Sequence, residues 1–292
     1  MKPAPFTYHA PHDLTEAVGL LASLGDDGRI LAGGQSLVPT MAFRLALPEH
    51  LIDINGIAGL DYLDVSDGVL RIGPLVRHAA FHRPVLAGPL GGLLSFVVRH
   101  IAHYPIRTRG TFCGSLAHAD PAAEWGLVAA TLDASVTARS ERGERVVPVA
   151  QLFEWIMTTT LADDEMLVEA RLPVLAPATR WGFYEFNRRA GDYAMAMALV
   201  AFEVTENRIV APRLGMGGVE GFPRRLAEVE AVLSGRAPNP VLFREAAEAA
   251  AAAVDPLEDA QIDLTYRRDL VRAVTERALQ RAMTMDRSAG HE

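Results

Sequence analysis

The sequence is short of cysteine, since Cys113 is the only one in 292 residues. A single thiol excludes a disulfide within the chain and a zinc site built from several cysteines. It also excludes an iron–sulfur cluster held by this chain alone, because such clusters need several thiolates. Any cluster that works with this protein must therefore be supplied by another chain.

Long apolar runs and an excess of positive charge are missing as well. The longest apolar stretches, such as Leu93–Val98 and Met195–Phe202, are too short to cross a bilayer. A formal net charge of −8 disfavours nucleic acid or an anionic membrane as a partner. The N-terminal residues form no apolar signal core, so we predict a cytoplasmic protein without a transmembrane segment.

Several catalytic signatures are absent or fail on inspection. The sequence contains no Gly-x-Ser-x-Gly turn, no His-Glu-x-x-His pair and no phosphate loop ending in Gly-Lys-Ser/Thr. The segment 215–221 imitates a dinucleotide fingerprint, but Glu220 occupies the third glycine position and no helix is expected there. His100 and His103 have helical spacing without a third ligand nearby, so we predict no metal site. Hydrolysis and phosphoryl transfer are therefore disfavoured.

The order of strand and helix patterns predicts an α+β protein with no internal repeat. Asp13-Leu14-Thr15-Glu16 is typical of a capping box, and the helix that it opens should end at Gly25. We expect further helices over 90–103, 224–233, 245–254 and 266–283. We expect strands over 29–32, 50–54, 62–65, 69–72, 136–138, 145–147, 165–172, 181–186, 195–204 and 208–214.

These patterns predict four segments along the chain. Residues 1–56 and 57–176 would form two subdomains, and residues 177–286 a C-terminal α+β domain. A Pro-containing stretch over 173–177 marks the second boundary. Residues 287–292 would be a tail.

Two glycine-bearing segments dominate the sequence. The first loop, Leu31-Ala32-Gly33-Gly34-Gln35-Ser36-Leu37, follows a strand-like run and precedes a helix-like run over 37–45. Glycine allows close approach of a ligand to the backbone, and free N–H groups in such a turn bind phosphate oxygens. Taken alone, a glycine pair more often only turns the chain.

The second glycine-bearing segment covers residues 108–121. Its first part, called the second loop below, is residues 108–116 with the sequence Thr-Arg-Gly-Thr-Phe-Cys-Gly-Ser-Leu. Its hydroxyls at Thr111 and Ser115 are candidate donors to a phosphate. Glu124 lies where a carboxylate could accept from ribose hydroxyls. An alternative without a ligand is equally open, with Asp120 as a helix N-cap and Glu124 as a partner of the helix dipole. Cys113 is expected to be a small buried thiol rather than a reactive one.

With both loops in view, the chain resembles the FAD-binding medium subunits of molybdenum hydroxylases, the carbon monoxide dehydrogenase and xanthine dehydrogenase family. The resemblance covers nearly the whole chain. It rests on the two loops, their order and spacing, and on further short motifs. These are Lys2-Pro3, Phe6-Thr7-Tyr8, Arg44-Leu45, Leu51–Ile54, Ile101–His103, Ile106–Thr111, Gly114–Ala123, Arg188–Ala194 and Tyr266-Arg267-Arg268.

The resemblance implies a fold and a cofactor site. The fold would be the two-subdomain FAD-binding fold of the p-cresol methylhydroxylase/vanillyl-alcohol oxidase type, followed by a C-terminal α+β domain. Both loops would hold the FAD diphosphate, Glu124 would lie near the adenosine ribose, and Tyr193 would lie beside the isoalloxazine. Cys113 replaces a glycine that is usual in the family. The implied non-covalent contacts with FAD are Ala32, Gly33, Gly34, Gln35, Ser36, Leu37, Ile101, Gly110, Thr111, Cys113, Gly114, Ser115, His118, Asp120, Glu124, Leu167, Asp192 and Tyr193.

The resemblance also implies partners and a task. A large molybdopterin subunit and a small subunit with [2Fe–2S] clusters would complete the complex, as a dimer of heterotrimers. This chain would pass electrons through FAD to an external acceptor, so no catalytic acid or base is expected. Two alternatives are a self-contained flavin oxidoreductase and a flavin-free scaffold subunit. Helical patterns in the C-terminal third disfavour the first, and the loop hydroxyls disfavour the second.

Overall fold

A computed structural model describes residues 2–259 and 262–284. The N-terminal part contains a three-stranded parallel sheet in the order β1-β3-β2. Its strands are β1 (Thr7–His9), β2 (Gly28–Leu31) and β3 (His50–Asp53), with helices α1 (Leu14–Leu24) and α2 (Leu37–Ala42). Leu31 pairs with Asp53 at the carboxyl ends of β2 and β3. The loops that follow these two strands therefore emerge side by side.

The middle part is built on a five-stranded antiparallel sheet in the order β4-β5-β10-β6-β7. Its strands are β4 (Leu63–Ser66), β5 (Val69–Ile72), β6 (Ser135–Ser140), β7 (Gly143–Pro148) and β10 (Met166–Pro173), while β8 (Phe153–Trp155) and β9 (Thr158–Thr159) form a separate small hairpin. The accompanying helices are α3 (Pro89–Val97), α4 (Tyr104–Arg107), α5 (Phe112–His118) and α6 (Glu124–Thr131). The second loop leads into α5, which packs against β10.

The C-terminal part is a four-stranded antiparallel sheet covered by helices. The strands β11 (Arg180–Phe186), β12 (Ala196–Thr205), β13 (Arg208–Gly217) and β14 (Arg224–Arg225) follow one another in the sheet. The helices are α7 (Ala227–Leu233), α8 (Pro240–Ala253) and α9 (Leu264–Thr284). Leu270, Val274 and Ala278 of α9 are buried, as their four-residue spacing predicts. In the described part of the chain, none of the helices is long and apolar enough to cross a membrane.

Strand β10 fixes the N-terminal part to the rest of the molecule. Its Met166 and Val168 lie in the same apolar cluster as Ile52 and Ile54. Leu167 and Ala170 instead belong to the large central core. That core continues into the C-terminal sheet through Trp181, Phe183, Met197, Leu199 and Ala201. Packing on both faces of β10 therefore sets the position of the first loop relative to the second.

The structure corrects several predicted helix limits. The helix predicted over 90–103 ends at Val97, because the N–H groups of Arg99, His100 and Ile101 donate to the carbonyls three residues earlier instead of four. Ala102, with a φ of +41°, then separates this turn from α4. The helix-like run after the first loop ends at Ala42, before Arg44 with its φ of +59°. Both segments are apolar enough to suggest longer helices. A left-handed residue follows each shortened helix and prevents it from continuing.

Other predicted limits differ at helix starts. Arg224 and Arg225 form β14 rather than the first turn of the predicted 224–233 helix. Helix α8 starts at Pro240, earlier than predicted, because the Asn239 side chain accepts from the Val241 and Leu242 N–H groups. Helix α1 begins and ends as predicted, although Glu16 accepts from the His12 N–H rather than from Asp13. The predicted tail over 287–292 lies outside the described residues.

Candidate functional site

The two glycine loops touch each other directly. A Cβ atom on Gly33 would lie 2.5 Å from the carbonyl oxygen of Arg109 and 2.7 Å from the Cα of Gly110. No side chain fits in that space without moving a backbone. The absence of a side chain at Gly33 therefore allows the loops, which are about eighty residues apart in sequence, to lie in contact.

The first loop presents unused hydrogen-bond donors. Within residues 2–259 and 262–284, the N–H groups of Gly34, Gln35 and Ser36 and the hydroxyl of Ser36 have no acceptor. Gly34 has a φ of +68°, which favours glycine. The Gln35 side chain donates to the Gly33 carbonyl at 3.0 Å, so it supports the turn instead of pointing outwards as a free donor. Ala32 and Leu37 flank these donors and are half-buried.

The second loop is anchored more deeply than the first. Thr111 is 2 % exposed, and its hydroxyl accepts from the Gly114 N–H at 3.0 Å as the N-cap of α5. The hydroxyl oxygen therefore caps α5, and the donation of its O–H to a phosphate stays a prediction. The Ser115 hydroxyl is half-buried and has no partner among the described residues, so it keeps the predicted donor role open.

Cys113 explains how a side chain is tolerated in this loop. The residue lies in α5 with negative φ, and its thiol points into the core, with Sγ 3.5 Å from the Ile72 carbonyl oxygen. Burial raises the pKa of this thiol, so the thiolate is disfavoured. In the described chain the Cys113 N–H has no acceptor. The backbone at Cys113 thus remains available to a ligand, while the side chain does not.

A buried histidine forms the floor of the second loop. The His78 N–H donates to the Gly110 carbonyl at 2.9 Å, and a Cβ on Gly110 would lie 2.6 Å from His78 Nε2. Trp125 Nε1 donates to His78 Nδ1 at 2.9 Å. Burial, together with the nearby Arg107 and Arg77 guanidinium groups, lowers the pKa of His78 to about 4. His78 is therefore neutral at physiological pH, with its proton on Nε2.

A group of carboxyls lies beyond the second loop. Glu124 begins α6 and is 9 % exposed. Burial, together with the nearby Glu185 carboxylate, raises its pKa to about 8. Glu185 Oε1 lies 3.2 Å from His100 Nδ1 and accepts from Asn187, whereas its buried Oε2 has no partner within the described residues. Asp120 accepts from the Ala122 N–H at 2.8 Å and is not the N-cap of α6, which is Ala123.

The C-terminal domain contributes one wall of this region. Tyr193 is 68 % exposed, but desolvation of its hydroxyl and the nearby Asp120 and Glu124 carboxyls raise its pKa. Asp192 is exposed in the same loop. The Gly218 N–H donates to the Pro121 carbonyl at 2.8 Å, and Arg267 donates to the Gly218 carbonyl at 2.8 Å. The Tyr-Arg-Arg motif on α9 therefore supports this wall through Arg267.

The remaining predicted residues lie at the edge of the region or beneath it. Ile101 and Leu167 are 8 % and 6 % exposed within the central core. His118 ends α5 and is half-buried. Sequence reasoning missed Asn55, Arg77, His78 and Glu185 as members of the site. Only Asn55 carried a signal, as a turn residue after a strand, because the contacts of the others depend on the tertiary structure.

The described residues hold no cluster of three or more His, Cys, Asp or Glu side chains suited to a metal ion. What the site offers instead is a set of unused backbone N–H groups from two touching loops, two free serine hydroxyls and a buried carboxyl. Such donors match diphosphate oxygens, and the carboxyl matches ribose hydroxyls. The residues therefore fit FAD, the cofactor that the resemblance implies.

Comparison with protein families gives two matches in chain order. Residues 4–175 match the family described as "FAD binding domain in molybdopterin dehydrogenase". Residues 181–282 match the family described as "CO dehydrogenase flavoprotein C-terminal domain". The predicted α+β fold, with an FAD-binding part followed by a C-terminal domain, is confirmed by these matches and by the solved structures below.

Curated relatives match along nearly the full length. The nicotine 6-hydroxylase medium subunit of Paenarthrobacter nicotinovorans is 38 % identical, covering 97 % of this chain and 99 % of the relative. The carbon monoxide dehydrogenase medium chain of Hydrogenophaga pseudoflava is 34 % identical, covering 97 % of this chain and 98 % of the relative. Among solved structures, carbon monoxide dehydrogenase from the same organism matches with a TM-score of 0.93 over 97 % of this chain and 99 % of that chain. Quinoline 2-oxidoreductase from Pseudomonas putida 86 matches with a TM-score of 0.90, 35 % identity and the same coverage.

Proposed function

The chain belongs to the family of FAD-binding medium subunits of molybdenum hydroxylases, and we propose that it transfers electrons from partner clusters through FAD to an external acceptor. Its relatives are subunits of oxidoreductase complexes. The observation that carries the proposal is the contact of Gly33 with Arg109 and Gly110, because it joins two sets of unused N–H groups into one cradle.

The cradle would hold the diphosphate through backbone and serine groups. The N–H groups of Gly34, Gln35 and Ser36 would donate from the first loop, and the Cys113 N–H and Ser115 hydroxyl from the second. A neutral His78 beneath Gly110 adds no positive charge of its own to the oriented N–H dipoles. Glu124 would accept from the adenosine ribose at the far end.

Bound FAD would supply the redox chemistry, which is the acceptance and release of electrons. The chain would orient the cofactor and limit water around it. Tyr193, with its exposed ring in the C-terminal wall, is suited to cover the isoalloxazine. No acid or base of this chain is required for electron transfer.

The partners follow from the same reasoning. Because one cysteine cannot ligate a cluster, the [2Fe–2S] clusters would belong to a small subunit and the molybdopterin to a large one. Three chains would then form a unit, and two units a dimer of heterotrimers. This assembly would be cytoplasmic.

FAD retention by the full chain tests the proposal. The purified chain is incubated with FAD, desalted and scanned in the visible range. We expect flavin absorption that stays with the native protein through desalting. Because the attachment is non-covalent, denaturation followed by filtration should release the flavin into the filtrate. A colourless chain, both alone and with its co-expressed partners, would favour the flavin-free scaffold. Substrate oxidation by the FAD-loaded chain without partners would favour the self-contained oxidoreductase.

A further inference from the structure

Two polar side chains connect the glycine loops from behind. Asn55 follows β3 in the N-terminal part, next to the first loop. Arg77 lies in the middle part and pairs with Thr111 of the second loop through an isolated β-bridge. Neither side chain belongs to the predicted FAD contacts.

The hydrogen bonds between them form a continuous path. Asn55 Nδ2 donates to the Ala32 carbonyl at 2.8 Å. Arg77 Nη2 donates to Asn55 Oδ1 at 2.5 Å, and Arg77 Nη1 donates to the Arg109 carbonyl at 2.5 Å. The path thus runs from a carbonyl of the first loop to a carbonyl of the second loop, across the boundary between the two sheets.

The orientation of Asn55 is fixed independently. Asp53 Oδ1 accepts from both the backbone N–H of Asn55, at 2.9 Å, and its side-chain amide. The Tyr8 hydroxyl donates to the other oxygen of Asp53 at 2.6 Å. These bonds hold the Asn55 amide with its nitrogen towards the first loop and its oxygen towards Arg77.

We propose that Asn55 and Arg77 are positioning residues that set the separation of the two glycine loops, and through it the width of the diphosphate cradle. This inference rests on the proposed function. The carbonyl oxygens of Ala32 and Arg109 both accept from the pair. The N–H group of each of these two peptide units therefore points away from the pair. An amide is required at position 55 because it must donate and accept at once. A guanidinium is required at position 77 because it donates in two directions from one plane.

A merely structural tie would behave differently. It would lower the stability of the apo chain and leave the FAD affinity of the folded fraction intact. A positioning pair instead changes affinity for ligands that contain the diphosphate, with little effect on apo stability. Because both residues lie on one path, breaking either one should have the effect of breaking both.

The test uses the full chain freed of FAD. The variants are Arg77→Gln, Asn55→Ala and the double variant, with Arg145→Gln as a matched control. Arg145 lies on β7 and binds Glu165 and the Thr160 carbonyl, away from both loops. Dissociation constants are measured for FAD and for ADP, which carries the diphosphate without the flavin, and the melting temperature of each apo chain is recorded.

We expect each single variant to bind FAD and ADP about 10- to 100-fold more weakly, the range for loss of a charged hydrogen bond. The double variant should bind no more than about threefold more weakly than the weaker single variant. Melting temperatures should stay within the change seen for Arg145→Gln. If Arg77→Gln does not fold, Arg77→Lys is measured against the same criteria.

Two outcomes would overturn the inference alone. Variants that bind FAD and ADP as Arg145→Gln does would show that the path does not set the cradle. Losses that multiply in the double variant would show two independent contacts instead of one path. A wild-type chain that takes up no FAD would overturn the proposed function, and the inference with it.

Discussion

The first and second glycine loops have the same kind of sequence but are held in different ways. The second loop is fixed by the central core, where the Phe112 ring lies 4.9 Å from Trp125 and 5.7 Å from Phe81 between centroids. Thr111 caps the helix that follows. The first loop is half-buried, and the Ser36 side chain makes no cap hydrogen bond at the start of α2. The position of the first loop depends on its glycines and on its contact with the second loop.

This difference indicates how a cradle can be built from two segments of unequal rigidity. Buried aromatic packing makes the second loop a fixed reference. The first loop, held by Gly33 against Arg109 and by the Asn55–Arg77 path, takes its position from that reference. Changes in the first loop should therefore affect the ligand more than the fold.

The largest effect on binding is expected from Gly33→Ala. The new Cβ would lie 2.5 Å from the Arg109 carbonyl oxygen, so the loops must separate. Overpacking of this kind costs about 1–3 kcal/mol, and we expect FAD binding to weaken by about 10- to 100-fold. Titration with FAD measures this loss of affinity. Gly19→Ala in α1 is the control, because the added Cβ would lie 3.5 Å from the nearest atom. Equal FAD affinity in both variants would contradict the contact between the loops.

A somewhat smaller effect is expected from Gly34→Ala. Its φ of +68° strains any other residue by about 1–2 kcal/mol, so FAD should bind roughly tenfold more weakly. Gly68→Ala is the matched control, because Gly68 has a φ of +72° in the turn between β4 and β5, with no atom within 4 Å of the added carbon. Both variants should melt at lower temperature, but only Gly34→Ala should lose affinity. Unchanged FAD content of this variant would place the diphosphate elsewhere.

The region beyond the second loop should show a pH-dependent stability between pH 5 and 8. The folded state raises the pKa of Glu124 to about 8, so it retains a proton that the unfolded chain releases near pH 4.5. Stability from this group is complete below pH 4.5 and is lost as pH rises to 8, by up to about 1.4 kcal/mol per pH unit. Glu124→Gln should remove that loss.

Urea unfolding of the apo chain at several values between pH 5 and 8 measures the effect. The free energy of unfolding of the wild type should fall relative to that of Glu124→Gln as the pH rises. His78 acts at lower pH, since its pKa of about 4 costs stability as pH falls below 6.5, and this contribution cancels in the comparison. Parallel curves for the two proteins would mean that Glu124 is ionised in the folded state.

The smallest effect on the fold is expected from Tyr193→Ala. The ring is 68 % exposed, so the free energy of unfolding should change by less than about 0.5 kcal/mol. The visible spectrum of bound FAD and the rate of its reoxidation should nevertheless change, because the ring would no longer cover the isoalloxazine. Tyr266→Ala, at a less exposed position on α9 (44 %), serves as control. A spectrum identical to that of the wild type would mean that Tyr193 does not contact the flavin.

Much of this architecture could be predicted from the sequence, and the exceptions have physical causes. Strands β5, β11 and β12 and helix α9 match their predictions closely because their apolar periodicity is strong. The early end of α2 depends on Arg44, whose positive φ carries no glycine signal, and the early end of α3 on a change to three-residue hydrogen bonds that no motif marks. The glycine loops were visible as motifs. Their mutual contact, the capping role of Thr111 and the buried floor at His78 depend on distant residues, so no local pattern could indicate them.

Hydrogen exchange at the two loops tests the central claim most directly. Backbone exchange is measured by mass spectrometry for the full chain with and without saturating FAD. We predict slower exchange on binding in residues 32–37 and in residues 110–116 together, with no change in the β6–β7 hairpin over 139–145. Protection of only one loop, or of neither loop while FAD is bound, would contradict a cradle formed by both.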